Sequence, residues 1–243
     1  MHTVTTAISS RHARGFTLAE LAIVLLIVAI LAAALIVPLS GREESRRRHE
    51  TEASLQEIRE ALIGFAIIHK RLPCPTLETN PANANYGLED AGCNESAEGY
   101  LPWRTLGVEA HDAWGTPRTA ATDPWTGYWR YRVDSHFSGS APDILDATAL
   151  DDWITISDPD GRELTVHSYS GSEIAKNRLA MAVVYSTGAN RVGDLQNSSY
   201  ESTSSQGAPA TYTEGASQTD FDDILIWIGQ PLLVARMAAA GAL

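Results

Sequence analysis

Four oxygen-bearing side chains stand at the two edges of one polar segment near the carboxyl end of the chain. They are Asn190, Asp194, Asp222 and Asp223, in the strings STGANRVGDLQN and DFDD. Carboxylate and amide oxygens are the donors that calcium prefers in proteins, so this set predicts a calcium site. The same aspartates could instead cap turns, and the residues alone leave both interpretations open. No other cofactor is expected.

The two cysteines, Cys74 and Cys93, do not form a CxxC pair. Zinc would need more ligands at tighter spacing, so a zinc site is not expected. If this part of the chain lies outside the cytoplasm, the natural prediction is a disulfide. It would close a loop of about 20 residues and contribute roughly 3 kcal/mol of stability. Two buried free thiols are the alternative.

Sequence signatures of catalysis are missing. The chain contains no Gly-x-Ser-x-Gly, HExxH or glycine-rich phosphate-binding string, and its seven histidines share no ligand spacing. The 30 acidic residues outnumber the 18 basic ones, for a formal net charge of -12. The basic footprint of a nucleic-acid-binding protein is therefore absent. We expect a protein that is not an enzyme and does not bind nucleic acid.

One carboxylate, Glu20, lies inside an otherwise apolar run that covers residues 16–37. As a helix this run would be roughly 33 Å long, which is enough to cross the hydrocarbon core of a bilayer. A carboxylate inside such a helix costs a few kcal/mol and by default indicates a function. The alternative is a side chain that only reaches back to the lipid headgroups.

The residues before the apolar run indicate its orientation. Arg11 and Arg14 favour a cytoplasmic amino end, which would put the chain beyond Leu39 on the outside. Arg46, Arg47 and Arg48 argue against this orientation by the same rule, although glutamates surround them. A secretory signal peptide is disfavoured because the run is long and no cleavage site follows it.

The string RGFTLAEL resembles the processing site of type IV prepilins and type II secretion pseudopilins. In that family a short basic leader ends in Gly, Phe usually follows, and Glu is the fifth residue after the cut. The resemblance implies cleavage between Gly15 and Phe16 by a prepilin peptidase, followed by N-methylation of Phe16. It also implies that Glu20 meets the new amine of a neighbouring subunit and sets the register of a filament.

This family resemblance implies a structural subunit of a type IV pilus or a type II secretion pseudopilus. Its partners would be the prepilin peptidase, other pilin or pseudopilin subunits and an inner-membrane assembly platform. The length of the chain favours a minor subunit over a major one. The alternative is a periplasmic binding module on a single-span anchor that is not built into a filament.

A second helical segment is expected after the anchor. Pro38 and Gly41 predict a kink or a short melted segment. A helix then covers residues 43–70, up to the stop at Pro73. Its apolar residues recur at spacings of three and four, which predicts one face that packs on a sheet. They are Leu55, Ile58, Leu62, Phe65 and Ala66.

The rest of the chain predicts a small antiparallel sheet. Residues 73–115 read as an irregular loop stapled by the cysteines, and residues 197–219 as a mobile surface loop. Strands are expected at 128–133, 154–156, 164–166, 179–188 and 222–228, with a hairpin turn at 158–161. A helix with Pro231 in its first turn and Gly241 at its end closes the chain.

The predicted fold is therefore α+β and pilin-like, with a long N-terminal helix on an antiparallel sheet. The domains would be a leader at 1–15, a membrane and filament-core helix at 16–39, and a periplasmic domain at 40–243. Several strings extend the family resemblance, and the polar segment with the four oxygen donors resembles the calcium loop of major pseudopilins. Five tryptophans are expected to pack, buried or half-buried, under the long loop, and the alternative is a sugar-binding or surface-binding patch. They are Trp103, Trp114, Trp125, Trp129 and Trp153.

Overall fold

The chain divides into two units, Met1–Ser45 and Arg46–Leu243. A computed structural model describes residues 17–91, 98–134, 137–138, 164–172, 174, 180–200 and 210–242, with side chains except at 32–40, 164 and 199–200.

The longest element is the helix α1, Leu18–His69. The predicted melted segment at Pro38 and Gly41 is wrong, because the helix continues through both residues. A proline inside a helix removes one backbone hydrogen bond, and the long helical stretches on either side keep the rest. The helix ends where Lys70 adopts a left-handed φ of 58°. Among the described residues, none of the helices combines the length and hydropathy that crossing a bilayer requires.

In the second unit, the predicted apolar face of α1 is confirmed. Leu55, Ile58 and Leu62 are buried in one cluster with strand residues that include Met181 and Ile226. Leucine and isoleucine at spacings of three and four lie on one side of a helix, so this side is removed from water as a continuous stripe. The helix–sheet contact is therefore the main apolar core of this unit.

Six described strands form one sheet. They are β1 (Gly99–Tyr100), β2 (Arg130–Val133), β3 (Leu164–Ser168), β4 (Ala180–Ser186), β5 (Ala210–Glu214) and β6 (Ile224–Gly229). β4 is central, with β2 and β6 antiparallel to it. β1 is antiparallel to β2, and β3 joins β4 through the antiparallel pair Leu164 and Ala180. The predicted α+β class with an antiparallel sheet is confirmed, except that β3 and β5 run parallel.

The remaining described helices are short. α2 covers Trp103–Leu106, a 3-10 helix covers Leu195–Tyr200, and α3 covers Gln230–Ala239. Pro231 lies in the first turn of α3, as predicted, because its missing amide needs no partner there.

Two of the predicted connections differ from the structure or lie outside its described part. The expected loop over residues 197–219 is partly wrong, because it contains the end of the 3-10 helix and the whole of β5. β5 is a short run of β-branched and aromatic residues flanked by serines and glycines. Its partner β3 is distant in sequence, so the local pattern did not predict the strand. The first arm and turn of the predicted hairpin, residues 154–161, lie outside the described residues, so the hairpin stays a prediction. The residues predicted for its second arm, 164–166, lie in β3.

The two faces of the sheet carry different cores. Along β6, Ile224, Ile226 and Ile228 belong to the helix-side cluster, whereas Leu225 and Trp227 pack against the other face. This alternation is the period-two pattern of a strand. The second face is apolar at Val166, Val183 and Ala210, and it also carries a charged group.

That charged group is the carboxylate of Glu98, which has no solvent-exposed side-chain surface. It accepts hydrogen bonds from Arg130 Nε at 2.8 Å, from the Tyr185 hydroxyl at 3.0 Å and from the Tyr212 hydroxyl at 2.6 Å. A buried carboxylate is tolerated when a cation neutralises it and donors satisfy its lone pairs. This group ties β2, β4 and β5 together across the second face.

Side-chain contacts hold the long loop after α1 in place, in addition to the predicted disulfide. Arg71 makes a two-pronged ion pair with Glu89 at 2.8 and 2.9 Å. Arg118 donates to the carbonyls of Thr79, Ala121 and Asp123. Cys74 is buried, and Cys93 lies outside the described residues, so the pairing of the two stays a prediction.

The tryptophans pack as expected where they are described. Trp103, Trp114 and Trp129 are buried, and Trp125 is half-buried against neighbouring rings. Trp153 lies outside the described residues. The described indoles are therefore part of the core or its border.

Substitution of a single isoleucine tests the helix–sheet core. Ile58 is 1% exposed, whereas Ile68, on the same helix, is 74% exposed. We expect Ile58→Ala to lower the free energy of unfolding by about 2–5 kcal/mol, because it removes buried methyl groups and leaves a cavity. Ile68→Ala should change it by less than about 0.5 kcal/mol. Chemical unfolding of the detergent-solubilised full chain measures both, and equal losses would contradict this packing.

Candidate functional site

The first candidate site is the start of α1. Gly15 and Phe16 lie outside the described residues. Thr17 precedes the first helical residue, and Glu20 is the third residue of the helix. The Thr17 backbone N–H donates to Glu20 Oε2 at 2.8 Å, and the Thr17 hydroxyl donates to the same oxygen at 2.9 Å. The Glu20 N–H in turn lies 3.2 Å from the Thr17 hydroxyl oxygen.

This reciprocal arrangement is a capping box, in which the residue before a helix and the third helical residue satisfy each other's backbone N–H groups. It also places a negative charge at the helix end where the backbone dipole is positive. The sequence contains the Thr-x-x-Glu signature, and reasoning from the apolar run alone missed it. Glu20 Oε2 is therefore engaged within the subunit, and among the described residues Oε1 accepts no hydrogen bond.

The apolar residues that follow Glu20 are exposed. Leu18 is 87% exposed, and the described side chains up to Leu31 all face solvent in the first unit. Burying such a surface is strongly favourable, at roughly 25 cal/mol for each Å² of apolar area. A continuous exposed apolar stretch of this kind indicates a lipid or protein partner.

The second candidate site is a group of three carboxylates. Oxygens of Asp194, Asp222 and Asp223 all lie within 4.8 Å of one another. Asn190, the fourth residue in the sequence prediction, lies at the edge of this group as a turn-forming residue. Its Oδ1 accepts a hydrogen bond from the Val192 N–H at 2.8 Å, and its Nδ2 donates to Asp194 Oδ1 at 2.9 Å.

Backbone pairing explains why these residues meet. β4 and β6 are antiparallel, and Ser186 at the end of β4 is paired with Ile224 at the start of β6. The loop that leaves β4 therefore lies beside the residues that lead into β6. The Asp222 N–H donates to Asp194 Oδ2 at 2.7 Å, and the Asp194 N–H donates to Asp223 Oδ2 at 2.8 Å.

Gly188 is required where this loop leaves β4. It has a left-handed φ of 61°, and a Cβ atom at this position would lie 2.6 Å from Asp222 Oδ1. A side chain would therefore be strained by its backbone and would collide with the carboxylate. Because Gly188 has none, Asp222 Oδ2 can accept from the N–H groups of Ala189 and Asn190 at 2.9 and 3.0 Å.

Two carboxylate oxygens of the group remain without a donor. Asp222 Oδ1 and Asp223 Oδ1 are buried and accept no hydrogen bond from the described residues. Burial raises the pKa of Asp223 to about 7. Burial also raises the pKa of Asp222, and the neighbouring Asp194 carboxylate adds to this shift. A hard cation would accept these unused lone pairs and reduce the repulsion between the carboxylates.

Asn197 is part of this site, although the sequence analysis did not single it out. Its buried amide donates from Nδ2 to Asp223 Oδ2 at 2.8 Å and to the Thr213 carbonyl at 3.0 Å. Its Oδ1 accepts the Thr213 N–H at 2.8 Å. The amide thus links β5 to the carboxylate group. Asn197 stands among serines in a segment that reads as a loop, so no sequence signal distinguished it.

The comparisons with known proteins concern the amino-terminal part of the chain. Residues 10–36 match the family model described as the prokaryotic N-terminal methylation motif. No curated protein and no solved structure matches the chain. The chain thus carries a prokaryotic N-terminal methylation motif, which is consistent with a type IV prepilin-like or pseudopilin-like protein.

Proposed function

We propose that this chain is a structural subunit, of the minor kind, of a type IV pilus or a type II secretion pseudopilus. The methylation motif at residues 10–36 carries the proposal. The family that bears this motif is structural and not enzymatic. The exposed apolar side chains of Leu18 and the residues up to Leu31 support it, because they need a lipid or protein partner.

In this proposal the chain passes through two states. Before assembly, residues 16–39 anchor it in the inner membrane, with the leader 1–15 in the cytoplasm and residues 40–243 in the periplasm. A prepilin peptidase removes the leader, and an assembly platform then brings the helix against those of other subunits. The apolar helix exchanges lipid for protein neighbours, which is possible because both surroundings are apolar.

The geometry around Glu20 supports a specific role in that exchange. Oε2 is occupied by the two donors of Thr17, and Oε1 accepts no hydrogen bond from the part of the chain that the structure describes. The amine created by a cut after Gly15 would be such a donor and would carry a positive charge. A buried charge pair is strongly favoured over either charge alone. Glu20 would therefore admit only the alignment of subunits that brings an amine to it.

Mass spectrometry of the mature amino terminus tests the processing step. In a host that contains a prepilin peptidase, the purified protein should begin at Phe16 and carry one methyl group on its amine. In a host without the peptidase, the leader should remain. An intact leader in the presence of an active peptidase would contradict the proposal and favour an anchored binding module instead.

A variant that removes the charge of Glu20 but keeps the capping box tests whether Glu20 sets the register of the filament. Glutamine also forms capping boxes, so Glu20→Gln should keep the helix start and the membrane insertion. It should nevertheless lower incorporation into filaments at least about tenfold, because it cannot neutralise an amine. Fractionation and filament shearing measure the two quantities.

Glu44→Gln is the matched control, since it removes the same charge from an exposed position of the same helix. Its incorporation should be normal. Normal incorporation of Glu20→Gln would refute the register role.

We further propose that Asp194, Asp222 and Asp223 bind calcium. The two buried oxygens without donors and the raised pKa of Asp223 support this, because both describe a site that lacks positive charge. Calcium binds groups of oxygen ligands at affinities down to the millimolar range in extracellular modules. The bound ion would hold the loop after β4 against the start of β6.

The pH dependence of stability tests this site. Asp223 has a folded-state pKa of about 7, above its ordinary value, so the folded state binds the proton more tightly. Without calcium, the contribution of this group to stability should fall as the pH rises from about 4 to about 8. Millimolar calcium should therefore raise the melting temperature more at about pH 8 than at about pH 5.

Asp223→Asn should remove both the calcium effect and this part of the pH dependence. Asp220→Asn is the control. Asp220 also precedes β6, but it accepts a hydrogen bond from the Tyr169 hydroxyl and is not part of the carboxylate group. Differential scanning calorimetry of the detergent-solubilised full chain measures these shifts. Absence of any calcium effect on the wild-type protein would exclude the site.

A further inference from the structure

A recess of about 270 Å³ opens on the second unit, away from the helix-side core. Its lining includes Tyr100, Trp125, Thr126, Arg130, Thr187 and Arg191. A water molecule occupies about 30 Å³ of liquid, so the recess has room for roughly nine waters or for a single sugar ring. The residues come from β1, β2, the turn before β2 and the loop after β4.

Stacking within the wall determines which parts of the rings a ligand can reach. The rings of Tyr100 and Trp125 stack with centroids 3.8 Å apart. The Arg118 guanidinium lies 3.9 Å from the Trp125 centroid, and the Arg130 guanidinium lies 4.7 Å from the Tyr100 centroid. Since one face of each ring is taken by the other ring, each guanidinium must cover the remaining face. A ligand therefore meets ring edges, which carry a partial positive charge.

Arg191 supplies an exposed positive charge at the rim of the recess, and among the described residues no carboxylate forms an ion pair with it. Arg130 is buried and paired with Glu98, so its charge is balanced. Arg191 is exposed at the rim, and its backbone N–H donates to the Thr187 carbonyl at 3.1 Å. It has a left-handed φ of 65°, which is unfavourable for a residue with a side chain. Such a conformation persists when the surrounding structure enforces it, and it commonly indicates a functional position.

The remaining polar groups of the lining are hydroxyls. Thr187 is almost fully buried at the base of the loop that carries Arg191, and Thr126 follows Trp125 in the turn before β2. Hydroxyls both donate and accept hydrogen bonds, so they match the hydroxyls of a sugar. The lining thus combines one exposed cation, two hydroxyls and positively polarised ring edges.

The charge of the whole chain limits the size of the ligand. The formal net charge is -12, so a long polyanion would be repelled by the rest of the surface. A small ligand with one negative charge experiences chiefly the local field of Arg191. We propose that this recess binds a single acidic sugar unit, with its carboxylate on Arg191 and its hydroxyls on Thr126 and Thr187. This proposal does not rest on filament assembly or on calcium binding, although Arg191 lies in the same loop as Asp194.

Titration calorimetry with glucuronate tests the proposal on the detergent-solubilised full chain at low ionic strength. Glucuronate should bind saturably, and glucose, which lacks the carboxylate, should bind at least about tenfold more weakly. Arg191→Gln should weaken glucuronate binding by a similar factor, whereas Arg191→Lys should retain most of it. Arg46→Gln is the matched control, because it removes an exposed arginine of α1 and should leave binding unchanged.

Three results would overturn the proposal. They are equal binding of glucose and glucuronate, unchanged binding by a folded Arg191→Gln variant, and binding of inorganic phosphate in preference to glucuronate. Should Arg191→Gln fail to fold, Thr187→Val replaces it, since valine has nearly the same shape and lacks the hydroxyl. Unchanged glucuronate affinity in a folded Thr187→Val variant would also overturn the proposed contacts.

Discussion

The second unit depends on the burial of one helix face against β4 and β6. Leu55, Ile58 and Leu62 share one cluster with residues of β4 and β6, which lie more than a hundred residues later in the chain. The same cluster contains Tyr131 and Val133 of β2. Because β4 is central, its position relative to α1 determines where β2 and β6 can lie. The loss of this contact would expose the largest apolar cluster of the unit. The positions of the loops that carry the candidate sites therefore depend on the positions of the strands that they connect.

Both candidate sites of the second unit follow from the antiparallel pairing of β4 with its neighbours. The loop after β4 lies beside the start of β6, which brings Asp194 to Asp222 and Asp223. The same loop turns at Gly188 and carries Arg191 to the aromatic wall built from β1 and the turn before β2. One short segment therefore contributes to two sites of opposite charge. Its left-handed residues are tolerated because hydrogen bonds to Asp222 and Thr187 hold the backbone.

Local patterns predicted the elements whose signals are strong and continuous. The spacing of Leu55, Ile58 and Leu62 predicted a packed helix face, and the apolar run around Val183 and Val184 predicted a central strand. The expectation of a melted segment failed at Pro38, where neighbouring turns outweigh one missing hydrogen bond. The expectation of a loop failed at Tyr212, whose strand is stabilised by a parallel partner. Such long-range pairing leaves little trace in a short window of sequence.

By itself, the sequence determined the methylation motif and the capping box of the amino-terminal part. The motif covers residues 10–36 and the capping box residues 17–20, so both are local properties. It also identified Asp194, Asp222 and Asp223 as oxygen donors. Only the tertiary structure decided that these carboxylates meet, that Asn197 joins them and that Asn190 forms a turn instead. Their proximity depends on strand register, which is set by the burial of side chains from distant parts of the chain.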